Sequence, residues 1–225
     1  RLDVVGGFRL GESDFSWQPL PWRPIPRVLA HPADPWGSGH YRVIQPFEAL
    51  KAAGQAEGAL YATLLDTVEQ ARIAPDIVVL QRRVSDDELE RMRRMPRYSH
   101  ALKVFELDDY LPNLPAKNAH REHMPSDILR GLRRAFALVD RLVVSTPALA
   151  EAFAGMHPDI RIARNRLPPA WWGGLPAPRR NTGAKPRVGW AGGVGHTGDL
   201  ELIADVVAEL ANEVDWVFFG LCPER

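Results

Sequence analysis

The sequence predicts an α/β fold built on a parallel sheet, a Rossmann-like domain followed by a linker and the start of a second such domain. Three observations carry this. From Pro26 onward, short apolar runs alternate with longer amphipathic ones, the order that repeated βα units produce. Two of the runs, "IVVL" and "LVV", are continuous rather than alternating, as in strands covered on both faces. Helix-opening residues of the Ser/Thr type stand between the runs.

In chain order, residues 1–25 carry aromatic residues without periodicity and read as an extension, packed on the first domain or reaching a neighbour. The first strand is Pro26 to His31. Gly37, Ser38 and Gly39 then precede a helix candidate, "YRVIQPFEALKAAG", that begins near His40 or Tyr41. Further strands are expected at Ala56 to Ala62, Asp76 to Arg82, Leu102 to Asp109, Arg141 to Thr146 and Ile160 to Asn165. Ser85 opens "SDDELERMRRM" with Glu88 three residues on, the spacing of a capping box. Ser126 opens a helix in which Ile128, Leu129, Leu132, Phe136 and Val139 recur at helical spacing, and Thr146-Pro147 opens another.

Composition changes to Pro, Gly and basic residues over 166–186, a linker signal. A second βα pattern follows over 187–225: "RVGWAG", a glycine loop, "DLELIADVVAELANEV", then "DWVFFG". Two strands and one helix, in roughly 40 residues, are too few for a core. The expectation is therefore an acceptor-side domain over 26–165 and an incomplete second domain, the chain being a fragment of a longer protein.

Charge and cysteine content narrow the function classes. The 225 residues hold 28 Lys+Arg against 28 Asp+Glu, so no basic surplus argues for nucleic acid. A single cysteine, Cys222, excludes an internal disulfide. No apolar stretch approaches the roughly 18 residues that a membrane span needs, and the N-terminal residues do not resemble a signal peptide. A cytoplasmic protein is expected.

The chemistry concentrates in the glycine loops. A strand, a glycine loop and a helix in succession gather backbone N–H groups and the positive end of the helix dipole at one point, which suits a diphosphate. Gly193 to Gly198 satisfies the G-x-G-x-x-G pattern. A dinucleotide site also asks for a carboxylate about 20 residues on, where this chain has Phe218-Phe219-Gly220-Leu221. A tight strand-to-helix turn needing glycine for clearance is the structural alternative. The loop at Gly37 to Gly39 would form a matching half-site after the first strand.

Other residues have two readings each. Asp108 and Asp109 end a strand where ligands collect in parallel sheets; they are catalytic candidates that orient or deprotonate an acceptor hydroxyl, or else loop carboxylates bonded to backbone N–H groups. His120 and His123 have i, i+3 spacing but no third metal ligand in a known pattern, so no metal site is expected. Arg91, Arg93, Arg94 and Arg97, with Arg130, Arg133 and Arg134, form basic helix ends, either solvated faces or a peripheral contact with an anionic membrane or lipid-linked acceptor. Trp171 and Trp172 are expected to pin the linker by packing, with sugar stacking as the alternative. No Ser-His-Asp or Cys-His spacing suggests covalent catalysis.

In their order, "YRVIQPFEALKAAG", "RLVVSTPALAEAF", "ARNRLPP", "RVGWAGGVGHTGDLELIADVVAEL" and "DWVFFG" resemble GT-B glycosyltransferases, particularly glycosyltransferase family 4. The resemblance implies a transferase with two Rossmann-like domains, the second binding a nucleotide-sugar donor and the first a glycan, lipid-linked or protein acceptor. By that resemblance Gly192, Gly193, Gly195, His196 and Thr197 would lie against the donor diphosphate. Gly37, Ser38, Gly39, His40, Tyr41 and Arg42 would line the cleft from the acceptor side. No metal or cofactor beyond the nucleotide-sugar co-substrate is implied, because loop amides stabilise the leaving diphosphate. The family's paired-glutamate motif is absent from these residues, and His196 stands where a basic residue often lies. Family members often carry a His where this chain has Asp108 and Asp109. The rival readings are a nicotinamide-dependent or other nucleotide-binding Rossmann enzyme and a non-catalytic glycan- or protein-binding module.

Overall fold

The computed structural model describes residues 22–114, 118, 121, 127–177 and 185–220, with backbone alone at 3, 4, 8, 9, 194 and 197. His120, His123, Ser126 and Cys222 lie outside the described residues. The chain divides into two compact units, Arg1–Asp109 with Leu129–Pro169 and Tyr110–Ile128 with Ala170–Arg225.

In the first unit, a minimal antiparallel ladder pairs β1 (Asp3–Val4) with β2 (Phe8–Arg9). The main sheet has six strands: β3 (Arg27–His31), β4 (Glu57–Leu60), β5 (Ile77–Gln81), β6 (Leu102–Leu107), β7 (Arg141–Val144) and β8 (Ile160–Ile162). Every pairing in it is parallel and the order is β4-β3-β5-β6-β7-β8. All six lie inside the runs expected from sequence. One face of the sheet is fully buried, with Leu29, Val78, Leu80, Phe105, Leu107, Leu142 and Val144 at most 1 % exposed, while Ile77, Val79 and Val143 on the opposite face are half-buried. The strand order reverses between β3 and β5, and ligands of such sheets bind beyond the strands' C-terminal ends near that reversal.

Helices α1 (Gln45–Ala52), α2 (Thr67–Ile73), α3 (Asp86–Arg94), α4 (Ile128–Phe136) and α5 (Pro147–Ala152) connect the strands. Capping behaves as the sequence suggests: the Ser85 hydroxyl accepts from the Glu88 N–H at 3.4 Å while Glu88 returns to the Ser85 N–H at 3.1 Å. Thr146 accepts from the Leu149 N–H at 3.2 Å. Helix α2 was not expected, because its apolar positions are sparse. It is fixed by an Asp66–Glu69 capping box and by buried Gln70, whose amide donates to the Leu65 carbonyl at 3.1 Å. On the α4 side the core closes through edge-to-face contacts of Phe136 with Phe105 at 5.4 Å and Phe153 at 5.5 Å.

The helix after β3 begins as a π turn, His40–Ile44, and continues as α1. Pro46 explains the widening: it has no N–H for the Arg42 carbonyl, and its ring would crowd that oxygen in a regular α turn.

The second unit holds α6 (Pro169–Trp172) at its boundary and a parallel pair, β9 (Arg187–Gly192) and β10 (Asp215–Gly220). Between them run a 3₁₀ turn at Val194–His196, α7 (Thr197–Leu202) and α8 (Ala204–Glu209). The single helix expected over 199–214 is therefore interrupted, at Ile203, where φ −102° and ψ 4° leave the helical region. Trp171 and Trp172 are 61 % and 46 % exposed, so they do not pin the segment by burial as the sequence reading expects.

Candidate functional site

Beyond the C-terminal ends of the first unit's strands lies a cleft of about 370 Å³, lined by Ser38, Tyr41, Arg42, Asp108, Asn165, Arg166 and Leu167. Its size is at the lower end for small-molecule sites. Ser38, Tyr41 and Arg42 come from the segment after β3, Asp108 follows β6, and the last three follow β8. Of the residues expected from sequence, these four from the β3 and β6 ends meet here. Gly37, Gly39, His40 and Asp109 are not part of the lining.

The Gly37–Gly39 loop is organised by Asp34, whose carboxylate accepts from the Trp36 N–H at 3.0 Å, the Gly39 N–H at 3.2 Å and the Ser38 hydroxyl at 3.3 Å. A Cβ on Gly39 would stand 1.8 Å from the Asp34 carbonyl oxygen, so glycine here serves loop closure. The His40 ring bonds the Gln45 side-chain amide at 3.0 Å.

Arg42 is the hub. Its Nε donates to Glu106 Oε1 at 2.6 Å, and its Nη1 donates to Asn165 Oδ1 at 2.9 Å and to the Ala163 carbonyl. The Arg42 and Glu106 side chains are 5 % and 4 % exposed. Burial pushes the Glu106 carboxyl up to about 7; Arg42 opposes that rise and Asp108 adds to it. Gln81, beside Glu106 in register on β5, exerts a weaker favourable influence on the carboxylate. Neither Glu106 Oε2 nor Gln81 Nε2 meets hydrogen-bond geometry with any described group.

Arg82 holds the other carboxylates. Its guanidinium lies 2.6 Å from Asp108 Oδ1 and 3.2 Å from Asp109 Oδ2, and the Ser145 hydroxyl donates to the Asp108 carbonyl at 2.8 Å. Asp108 and Asp109 therefore bond a guanidinium, a partner that neither sequence reading anticipated. Arg82 sits at φ +54°, a left-handed conformation that a bulky side chain rarely adopts, and such strain persists where surrounding contacts enforce it. Beside the sheet's point of reversal, His31 is fully buried and its Nδ1–H donates to the Tyr61 carbonyl at 3.0 Å. Burial holds its pKa down at about 4, so the ring is neutral.

In the second unit, the glycine turn follows β9. A Cβ on Gly192 would come within 2.5 Å of the Trp190 ring, and one on Gly220, at φ +91°, within 2.4 Å of the Gly192 carbonyl. Those two glycines meet a packing demand. Gly193 does not: among the described residues, nothing lies within 4 Å of the position of its Cβ. The His196 N–H donates to the Gly193 carbonyl at 2.9 Å, and its Nδ1 lies 2.8 Å from Asp199 Oδ2. Thr197 opens α7.

Among the basic helix ends, Arg91 pairs with Asp87, and Arg93 and Arg94 both pair with Glu90, so much of that charge is neutralised on α3 itself. Arg134 pairs with Asp86. No group of three or more His, Cys, Asp or Glu among the described residues is placed to hold a metal. No described helix is long and apolar enough to cross a membrane.

Sequence reasoning missed Glu106, Arg82, Asn165 and Arg166. The available signal for the first was a charged residue inside the apolar run "VFEL". The fold and site define an α/β chain of Rossmann-like type with a cleft beyond its parallel strands. No protein-family model matches the chain, and no curated protein matches it.

Proposed function

We propose that the chain is the acceptor-side domain and the opening of the donor domain of a nucleotide-sugar-dependent glycosyltransferase. The observation that carries this reading is Gly193. It stands in the turn between β9 and α7, yet among the described residues nothing crowds the place of a side chain there. A glycine that packing does not demand, next to Gly192, which packing does demand, fits a turn across which a diphosphate lies against backbone N–H groups. The end of β10 supports the same choice over a dinucleotide enzyme, since Phe219 and Gly220 occupy the place of the ribose-binding carboxylate.

In this reading the first unit's cleft takes the acceptor. Asp108, with Oδ1 held by Arg82, orients the acceptor hydroxyl for attack on the anomeric carbon. The new glycosidic C–O bond forms as the bond from the anomeric carbon to the diphosphate oxygen breaks, and the hydroxyl proton passes to Asp108 or the departing diphosphate. Within the second unit, the backbone N–H groups of the turn from Gly192 to Thr197 would hold a donor diphosphate.

The test is calorimetric titration of UDP, GDP, dTDP and NADH into the wild-type chain and the Gly193→Leu variant, whose fold the open space should preserve. Binding of one nucleoside diphosphate, weakened at least tenfold in the variant, is the expected result. Binding of NADH alone would favour the dehydrogenase, and the absence of binding by all four would favour the non-catalytic module.

A further inference from the structure

The charges around the first unit's cleft are unevenly committed. Arg42 gives its donors to Glu106, Asn165 and the Ala163 carbonyl, and Asp108 is held through Oδ1 by Arg82. The Asp109 carboxylate is 66 % exposed to water and is not part of the lining. Arg166 is different: it lines the cleft, is exposed, and makes no ion pair or side-chain hydrogen bond among the described residues. Among the described residues the cleft therefore has in Arg166 a guanidinium whose donors are not engaged, a group whose planar donors match the oxygens of a phosphate or carboxylate.

Its neighbours give that charge a context. Asn165 Oδ1 is engaged by Arg42, which fixes the amide and leaves the Nδ2 hydrogens as neutral donors. The Ser38 hydroxyl, whose hydrogen goes to Asp34, can accept, the Tyr41 hydroxyl can donate or accept, and Asp108 accepts. Leu167, 57 % exposed, adds an apolar surface. An anion-binding group, hydroxyl-binding groups and an apolar patch in about 370 Å³ suit a ligand of roughly monosaccharide size.

We infer that this cleft binds a sugar carrying an oxyanion, a phosphate monoester or a carboxylate, with the anion on Arg166 and a ring hydroxyl on Asp108. The inference deepens the acceptor-side reading and rests on it for the transfer step alone.

The experiment titrates glucose 6-phosphate, glucuronate, glucose and inorganic phosphate into the full chain and into Arg166→Gln and Arg164→Gln. Arg164 is exposed next to the site but does not line it, so its variant controls for general loss of positive charge. At least one anionic sugar should bind about tenfold more tightly than glucose, and Arg166→Gln should remove that advantage while Arg164→Gln keeps it. Which of the two binds names the oxyanion. The inference is overturned if none of the sugars binds, if glucose binds equally, if Arg166→Gln binds as the wild type does, if Arg164→Gln loses as much, or if inorganic phosphate binds as tightly as the sugars. Anionic sugar binding without any nucleoside diphosphate binding would leave this inference standing and remove the transferase reading; the converse result would do the reverse.

Discussion

Replacing Glu106 by Gln turns the buried Arg42–Glu106 contact into a quantitative test. Gln has the shape of the protonated acid and does not titrate. In the native protein the Glu106 pKa is raised to about 7 by burial, against about 4.3 in an unfolded chain. Between those values the unfolded state loses its proton first, so the wild type loses stability as pH rises through the window and keeps it in full below. Each pKa unit is worth about 1.4 kcal/mol, so the wild type should lose about 3 kcal/mol between pH 4 and pH 8 through this group. The variant lacks that loss. His31 contributes an opposite slope: its depressed pKa of about 4 makes stability fall as pH drops below about 6.5. That slope is common to both proteins and cancels in their difference. Urea unfolding at half-unit steps from pH 4 to pH 8 measures the quantity. The variant should gain about 3 kcal/mol on the wild type across the range. A difference that stays flat, or moves toward the wild type, would mean that Arg42 keeps Glu106 ionised throughout, and would refute burial as the dominant influence.

Two further outcomes follow from packing. Gly39→Ala, whose Cβ would meet the Asp34 carbonyl at 1.8 Å, should open the Asp34 loop; a loss of at least about 2 kcal/mol in denaturant unfolding is expected, and an unchanged midpoint would contradict it. Phe136→Ala removes a fully buried ring touching both Phe105 and Phe153, so a destabilisation of about 3–5 kcal/mol is expected in the same assay.

The strands were legible because a fully buried face and a half-buried one both select apolar residues, so "IVVL" and "LVV" became β5 and β7. The caps at Ser85 and Thr146 were legible because a side chain and an N–H a fixed few residues away make one local bond. Helix α2 escaped notice since its signal lies in the Asp66–Glu69 box rather than in a hydrophobic stripe. The break at Ile203 had no proline or glycine to announce it. The site was half legible: position after a strand marked Ser38, Tyr41, Arg42 and Asp108. Nothing local marks Asn165 or Arg166, which reach the cleft only because β8 joins the same sheet as β3. The Arg82 grip on Asp108 is likewise a product of strand adjacency, β5 against β6.

Arg42 also sets a schedule for the growing polypeptide. Its partners lie 64, 121 and 123 positions downstream. A ribosome adding roughly 5–20 residues per second needs about 6–25 s to travel from Arg42 to Asn165. Until then the π turn carries a guanidinium whose eventual acceptors have not all been synthesised, since Glu106 emerges first and Ala163 and Asn165 last. The sugar-sized cleft is therefore a late feature of biosynthesis, finished only when β8 has emerged and docked. A nascent chain stalled before that point should hold most of the parallel sheet without the cleft.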